Sequence, residues 1–179
     1  NWAYLHALET LDLSATPYGD SWGERSERLL LLKEILDRVE LPPESEIPGE
    51  REVAENAITQ WTIPNTRITI SRIEEGPRAG QFLFSARTVQ QLAKFYRQAK
   101  PLPYKPGATV NAYQEYLDSI HSGQRNTHQR RVNNLLKGPD ISSPRSTLES
   151  FLYSTNRAYE LVMEAEAALT ATLPTMTRD

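Results

Sequence analysis

The spacing of apolar residues changes in the middle of this chain, and that change limits the folds it can adopt. Ile68 and Ile70 alternate with polar neighbours, and Phe82 and Phe84 repeat the same two-residue period. Between the two pairs lies Glu75–Gly80, a stretch rich in turn-forming residues. Two alternating runs joined by such a stretch predict a β-hairpin with a longer loop.

The predicted sheet needs helices to complete a core. We expect each strand to bury one face, so that Phe82 and Phe84 share a buried face and Leu83 lies on the other. Trp61–Ile63, which turns at Pro64-Asn65, is a candidate third strand. A small sheet that buries one face must be covered by another layer, and helical spacing on both sides of the hairpin supplies it.

Capping signals mark where several of these helices begin. Ser21 and Glu24 have the spacing of a capping box and precede a wide apolar face, which expects cover on more than one side. Ser85 is the expected cap of a later helix, and Ser143-Pro144 opens the last one. The predicted helices are one ending near Leu11–Ser14, then Glu24–Val39, Glu52–Gln60, Ala86–Ala99, Tyr113–Ile120, and a last helix with the stripe Leu148, Phe151, Leu152, Thr155, Tyr159, Val162 and Leu169.

These patterns predict an α+β fold that is mainly helical, with amphipathic helices packed on a small antiparallel two- or three-stranded sheet. Residues 1–121 are expected to form a helical domain with the β-hairpin, 122–141 a basic linker or arm, and 142–179 a long helix that packs back on the domain. The residues expected in the core are Leu32, Leu36, Ile68, Ile70, Phe82, Phe84, Leu92 and Phe151.

Composition excludes several classes of function. The 179 residues carry 20 Lys and Arg against 23 Asp and Glu, a net charge of −3, which argues against a nucleic-acid partner. The chain has no cysteine, so disulfides and thiolate metal sites are excluded.

The longest strongly apolar run is Leu29–Leu32, whereas a membrane-spanning helix needs about 20 such residues. Because it starts at Asn1 without a signal segment, we expect a processed or excised piece.

No motif indicates an enzyme, a metal or a cofactor. His6, His121 and His128 lack partners at metal-ligand spacing. The loop from Gly76 to Gly80 joins two strands, whereas a phosphate-binding loop leads into a helix. The acidic stretch from Glu44 to Glu55 lacks the spacing of a calcium loop. We therefore predict that the chain is not an enzyme and has no catalytic residues, no metal and no cofactor.

One basic run is the candidate contact surface. Arg125, Arg130, Arg131 and Lys137 lie close together in a polar stretch without aromatic residues. Cations near an anionic lipid surface contribute about 1 kcal/mol each. Contact with lipid headgroups or a partner is one interpretation of these four residues, and a solvated linker is the other.

Several segments together resemble a known family. They are LDLSATP (Leu11–Pro17), LLLKEILDRVELPPESEIP (Leu30–Pro48), WTIPNTRITISRIEEGPRAGQFLFSARTV (Trp61–Val89), LPYKPG (Leu102–Gly107) and SSPRSTLESFLYSTNRAYELVMEA (Ser142–Ala165). They are similar to the N-terminal extramembrane region of some bacterial members of the small-conductance mechanosensitive channel family. The order differs, because in that family the SPRSTLESF-type helix precedes the LDLS segment.

The resemblance implies a role in the cell envelope. It implies an extracytoplasmic domain, on the periplasmic side of the inner membrane, of a channel that releases solutes under membrane tension during hypo-osmotic shock. Its partners would be its own transmembrane pore, outside these 179 residues, and further copies of itself, a heptamer in family members. The alternative is a soluble envelope scaffold without channel activity that binds another protein through the apolar face Leu29–Val39.

Overall fold

The α+β class is confirmed. The computed structural model describes residues 2–16, 21–121 and 138–172, with side chains as far as residue 120 and, in the last segment, residue 165. In chain order the elements are α1 (Trp2–Glu9), α2 (Trp22–Leu36), a 3₁₀ turn (Glu44–Glu46), α3 (Glu50–Asn56), β1 (Gln60–Thr62), β2 (Thr69–Arg72), β3 (Phe82–Phe84), α4 (Ala86–Gln90), α5 (Leu92–Ala99), α6 (Ala112–His121) and α7 (Pro144–Thr172).

The three strands form one antiparallel sheet in the order β1-β2-β3. Ile70 is the central register position, with Trp61 opposite it on β1 and Phe84 opposite it on β3. The candidate third strand and the hairpin loop are thereby confirmed. Gly76 and Gly80 both adopt left-handed backbone angles in that loop, a conformation that glycine adopts at little cost.

The outer edge of β3 is closed by two other segments. The amide of Phe84 donates to the carbonyl of Thr10, and the amide of Asp12 donates to that of Phe84, both at 2.9 Å. The amide of Phe82 donates to the carbonyl of Ile141 at 2.8 Å. These bonds pair the outer edge of β3. All three residues of β3 are buried, so the prediction that Leu83 lies on an uncovered face is wrong.

The core lies between this sheet and the helices. The eight predicted core residues are all buried: Leu32, Leu36, Ile68, Ile70, Phe82, Phe84, Leu92 and Phe151. The edge of the Phe84 ring meets Phe151 of α7, with 5.3 Å between ring centroids. The same buried cluster includes Ala7 of α1, so the core joins segments from both ends of the described chain.

Helix α2 lies at the centre of the helical layer. Its capping box is formed as predicted, because Glu24 donates its amide to Ser21 Oγ and accepts the Ser21 amide through its carboxylate. The helix ends at Leu36 rather than at Val39, with Asp37 as its C-cap. Helices α1, α5, α6 and α7 all contact it. The expectation that its face is covered on more than one side is confirmed.

The predicted helix Ala86–Ala99 is instead two helices, α4 and α5, separated at Gln91. Thr88 fixes α4 to the sheet, because its hydroxyl accepts the amide of Thr69 at 3.0 Å. The chain then turns at Gln91 so that α5 packs on α2. Helical spacing continues through such a turn, so the periodicity alone misses it.

Two other predicted helices have different bounds. Helix α1 ends at Glu9 rather than near Leu11–Ser14. Helix α3 covers Glu50–Asn56 rather than Glu52–Gln60, because Ala57 adopts a left-handed angle that ends it. Helix α7 begins at Pro144 as predicted and buries residues as far as Ala158. Val162, placed on the buried stripe by its spacing, is 48% exposed because it lies beyond that buried part. The side chain of Leu169 lies outside the described part.

Candidate functional site

Four charged side chains on α2 and the turn after it are largely withdrawn from solvent. They are Lys33, Glu34, Asp37 and Arg38, which we name the charge cluster. The side chain of Lys33 is 2% exposed and that of Glu34 is 1% exposed. Charged groups in such surroundings require a partner of opposite sign and further hydrogen bonds.

The helical repeat supplies the first partner of each charge. Residues four apart lie on the same side of a helix, so Lys33 meets Asp37 and Glu34 meets Arg38. The Nζ of Lys33 lies 2.8 Å from Asp37 Oδ2, and Arg38 Nη2 lies 3.1 Å from Glu34 Oε2. The two ion pairs stand side by side along one helix.

The Lys33 pair joins α2 to α7. Besides its contact with Asp37, the Lys33 ammonium donates a hydrogen bond to Asn156 Oδ1 of α7 at 2.8 Å. Helix α7 therefore contacts α2 through a part-buried polar contact as well as through apolar packing.

The Glu34 pair joins α2 to the segment that follows α5. Glu34 Oε2 accepts the hydroxyl of Tyr104 at 2.7 Å, and Oε1 accepts the amide of Tyr113 at 3.2 Å. Arg38 donates through Nη1 to the carbonyls of Lys100 and Leu102. Both oxygens of the carboxylate are thus engaged.

The guanidinium of Arg38 also stacks on an aromatic ring. Its central carbon lies 3.7 Å from the centroid of the Tyr104 ring, within the range of a cation–π contact. Tyr104 therefore contacts the cluster twice, through its ring and through its hydroxyl.

Two further tyrosines attach α6 to the N-terminal half of α2. The hydroxyl of Tyr113 donates to Glu27 Oε1 at 2.6 Å, and that of Tyr116 donates to the carbonyl of Gly23 at 2.9 Å. The edge of the Tyr113 ring meets Tyr96 of α5, with centroids 5.3 Å apart.

These surroundings change the acid–base properties of the tyrosines. Burial raises the pKa of Tyr104, and its hydrogen bond to Glu34 raises it further. Burial and then the hydrogen bond to Glu27 raise the pKa of Tyr113. Each hydroxyl therefore keeps its proton and stays a donor to a carboxylate at neutral pH.

The charge cluster holds parts of the molecule together. Its cations and anions face each other and reach α7 on one side and the Lys100–Tyr113 stretch on the other. Each of these contacts satisfies a charged group that is largely withdrawn from solvent, so the network favours the arrangement in which α2, α7 and the Lys100–Tyr113 stretch are packed together.

The residues predicted from the sequence as a contact surface are not part of this site. Arg125, Arg130, Arg131 and Lys137 lie outside the described residues, so their interpretation stays a prediction. In the hairpin loop, Arg78 bonds to Gln81 and to the backbone carbonyl of Glu9.

Two open grooves are present on the described surface. One, of about 300 Å³, is lined in part by Trp2, His6, Asp140 and Tyr153. The other, of about 150 Å³, lies between α2, α5 and the β1–β2 turn. Within the described ranges, no three His, Asp or Glu side chains are grouped as a metal site would require. None of the helices described there is both long and apolar enough to span a membrane.

Sequence reasoning did not identify the charge cluster. The available signal was two overlapping pairs of opposite charge, Lys33 with Asp37 and Glu34 with Arg38, which follow the longest strongly apolar run of the chain, Leu29–Leu32. A surface helix shows the same pairs, so spacing alone does not distinguish a buried pair from an exposed one. The deciding partners, Tyr104 and Asn156, lie far away in the sequence.

Comparison of this chain with protein-family models, with curated proteins and with solved structures gives no significant match.

Proposed function

We propose that the chain is an extracytoplasmic domain of a mechanosensitive channel, in which it acts as a structural or gating-modulating cap. The observation that carries the proposal is that the charge cluster connects three of the segments quoted for the resemblance. Lys33 and Glu34 belong to the second segment, Tyr104 to LPYKPG and Asn156 to the last one.

A cap affects gating only when it packs differently in the closed and open channel. The helices of such a cap must therefore be packed firmly enough to move together when force is applied. The Lys33–Asn156 contact and the Phe84–Phe151 contact join α7 to the rest of the domain. These contacts support a role in which α7 and the domain move as one body.

Patch-clamp recording of the full-length parent protein tests this proposal. Suction applied to an excised membrane patch should open a conductance that is absent from patches without the protein. Absence of any tension-activated conductance would contradict the channel function.

The modulating role is tested by two variants of that same parent. Lys33→Met should shift the tension for half-maximal opening, because it leaves Asp37 buried without its cation. Arg51→Met removes a cation that is 78% exposed and should leave that tension unchanged. Equal thresholds in both variants and the parent would limit the domain to a passive role.

The assembly and the location follow from the same resemblance. We expect a homo-oligomer, a heptamer as in family members, with the domain on the periplasmic side of the inner membrane. Native mass measurement of the purified parent would give the number of copies. Labelling of a cysteine introduced at an exposed position such as Gln114 would report the side of the membrane.

The scaffold alternative has lost the feature that suggested it. The face Leu29–Val39 was the expected docking surface, and most of its apolar residues are buried against neighbouring helices. Reading the parent gene downstream distinguishes the two functions. Several apolar stretches of about 20 residues would favour the channel, and a stop codon would favour the scaffold.

A further inference from the structure

The segment between α5 and the end of α6 is attached to the molecule in an unusual way. Among residues 101–120, which we name the strap, Ala112 is the one buried residue. Leu102, Val110 and Ile120 are all exposed. The preceding helix, α5, instead buries Leu92, Phe95 and Ala99.

Polar contacts hold the strap in place. Its three tyrosine hydroxyls all donate to α2: Tyr104 to Glu34, Tyr113 to Glu27 and Tyr116 to the carbonyl of Gly23. Water can replace each of these bonds when the strap moves away, whereas it cannot replace apolar packing at low cost.

The strap also contains positions suited to a hinge. Gly107 and Asn111 adopt left-handed backbone angles, with φ of 79° and 62°, just before α6. The amide of Asn111 donates to the Tyr104 hydroxyl at 2.8 Å, so its conformation is tied to the docked strap. Non-glycine residues adopt such an angle at a cost that the docked contacts must offset.

We propose that the strap is a separately opening unit, which undocks from α2 while the sheet, α2 and α7 stay folded. A segment held by few buried apolar side chains and mainly by polar contacts can open below the global unfolding free energy. Undocking uncovers an acidic and aromatic face on α2 and α5, formed by Glu27, Glu34 and Tyr96. This inference does not depend on the proposed channel function.

Native-state hydrogen exchange measured by mass spectrometry on the whole chain tests the proposal. Amides of residues 112–120 should exchange faster than those of α2, β3 and residues 147–158, and low denaturant should not change their rate. The proposal would be overturned if the strap and the core had the same free energy of exchange and the same dependence on denaturant, because both would then open together.

Tyrosine-to-phenylalanine variants test which hydrogen bonds hold the strap on α2. Tyr113→Phe removes a hydrogen bond to a carboxylate and should increase exchange in residues 112–120 roughly tenfold, with no change in β3. Tyr116→Phe should act on the same amides and provides a second test if the first variant is poorly folded. Tyr153→Phe is the matched control, since that side chain is 64% exposed on α7. The proposal would be overturned if Tyr113→Phe and Tyr116→Phe left the exchange rates of residues 112–120 unchanged. It would also be overturned if they raised exchange rates equally across the chain.

Discussion

Phe84 connects the sheet to α7. Its side chain is fully buried, it pairs with Ile70 on β2, and its ring meets Phe151 of α7. We expect Phe84→Ala to lower the free energy of unfolding by about 3–5 kcal/mol, because it leaves a cavity that the enclosed strand cannot close. Urea denaturation followed by circular dichroism measures this loss.

Leu102→Ala is the control for Phe84→Ala, since Leu102 is 44% exposed. Its cost should stay within about 0.5 kcal/mol. A loss below about 1 kcal/mol for Phe84→Ala would contradict the central place of this ring in the core.

Tyr4 links stability to alkaline pH. Burial is the main cause that raises its pKa to about 12, and its hydroxyl shares a hydrogen bond with Ser26 at 2.9 Å. An unfolded tyrosine has a pKa of about 10, so the native phenol binds its proton more tightly. Its contribution to stability is complete below pH 10 and is lost as the pH rises through 12.

We therefore expect Tyr4→Phe to flatten the dependence of stability on pH between 10 and 12. Denaturation midpoints at several pH values, for the protein and the variant, measure this effect. Tyr153→Phe serves as the exposed control. If the denaturation midpoints of Tyr4→Phe and of the original chain changed in parallel with pH, Tyr4 would not be the group responsible for the loss of stability.

At the residue scale, apolar burial could be predicted and charge burial could not. Residues such as Leu32 and Ile70 recur with a period that marks a buried face, and burial costs them nothing in hydrogen bonds. The buried Lys33 and Glu34 also have partners from distant parts of the chain, Asn156 and Tyr104. Local spacing carries no information about those partners.

At the element scale, the buried Lys33–Asp37 pair lies where α2 contacts α7. Lys33→Met should cost about 3–5 kcal/mol in the free energy of unfolding, because it strands the Asp37 carboxylate in a largely buried position. Lys33→Met with Asp37→Leu should recover most of that loss, since no buried charge then stays unpaired. Urea denaturation of the two single variants and the double variant gives these values.

The exposed pair between Arg51 and Glu55 on α3 is the matched control, because it has the same four-residue spacing. Arg51→Met should change stability by no more than about 1 kcal/mol. Equal losses for Lys33→Met and Arg51→Met would mean that the buried pair is no stronger than a surface pair.

Element boundaries were predictable where a local signal sets them. The capping box at Ser21 and the opening of α7 at Pro144 both depend on side chains within one turn. The break at Gln91 lies beside the contact of Thr88 with β2, and Leu83 is buried in a strand whose edge Thr10 and Ile141 cover. Local sequence patterns do not predict contacts of this kind between residues that are distant in the sequence.

At the scale of the whole molecule, spatial neighbours do not follow chain order. The resemblance expects the SPRSTLESF-type helix before the LDLS segment, whereas here it comes after it. In the fold, α7 packs on α1, just before Leu11, and on β3. Packing depends on which faces meet rather than on which segment comes first, so the quoted segments form one unit despite their order.

The distribution of charge over the chain leads to the last prediction. The net charge is −3, yet Arg125, Arg130, Arg131 and Lys137 form a basic run. If these four residues contact lipid headgroups, the chain should co-sediment with vesicles that contain anionic lipid and not with neutral ones. Replacing all four by Gln should abolish co-sedimentation, because each cation near such a surface contributes about 1 kcal/mol.

A second set of four substitutions separates this contact from net charge. Replacing four exposed cations elsewhere by Gln removes the same charge and should leave co-sedimentation intact: Arg67, Arg87, Lys94 and Arg97. Binding to anionic vesicles should also weaken as salt rises, since exposed charges are screened over about 10 Å at 0.1 M. Two results would favour the solvated linker instead. One is co-sedimentation that does not depend on the anionic lipid content, and the other is an equal loss of co-sedimentation in both sets of substitutions.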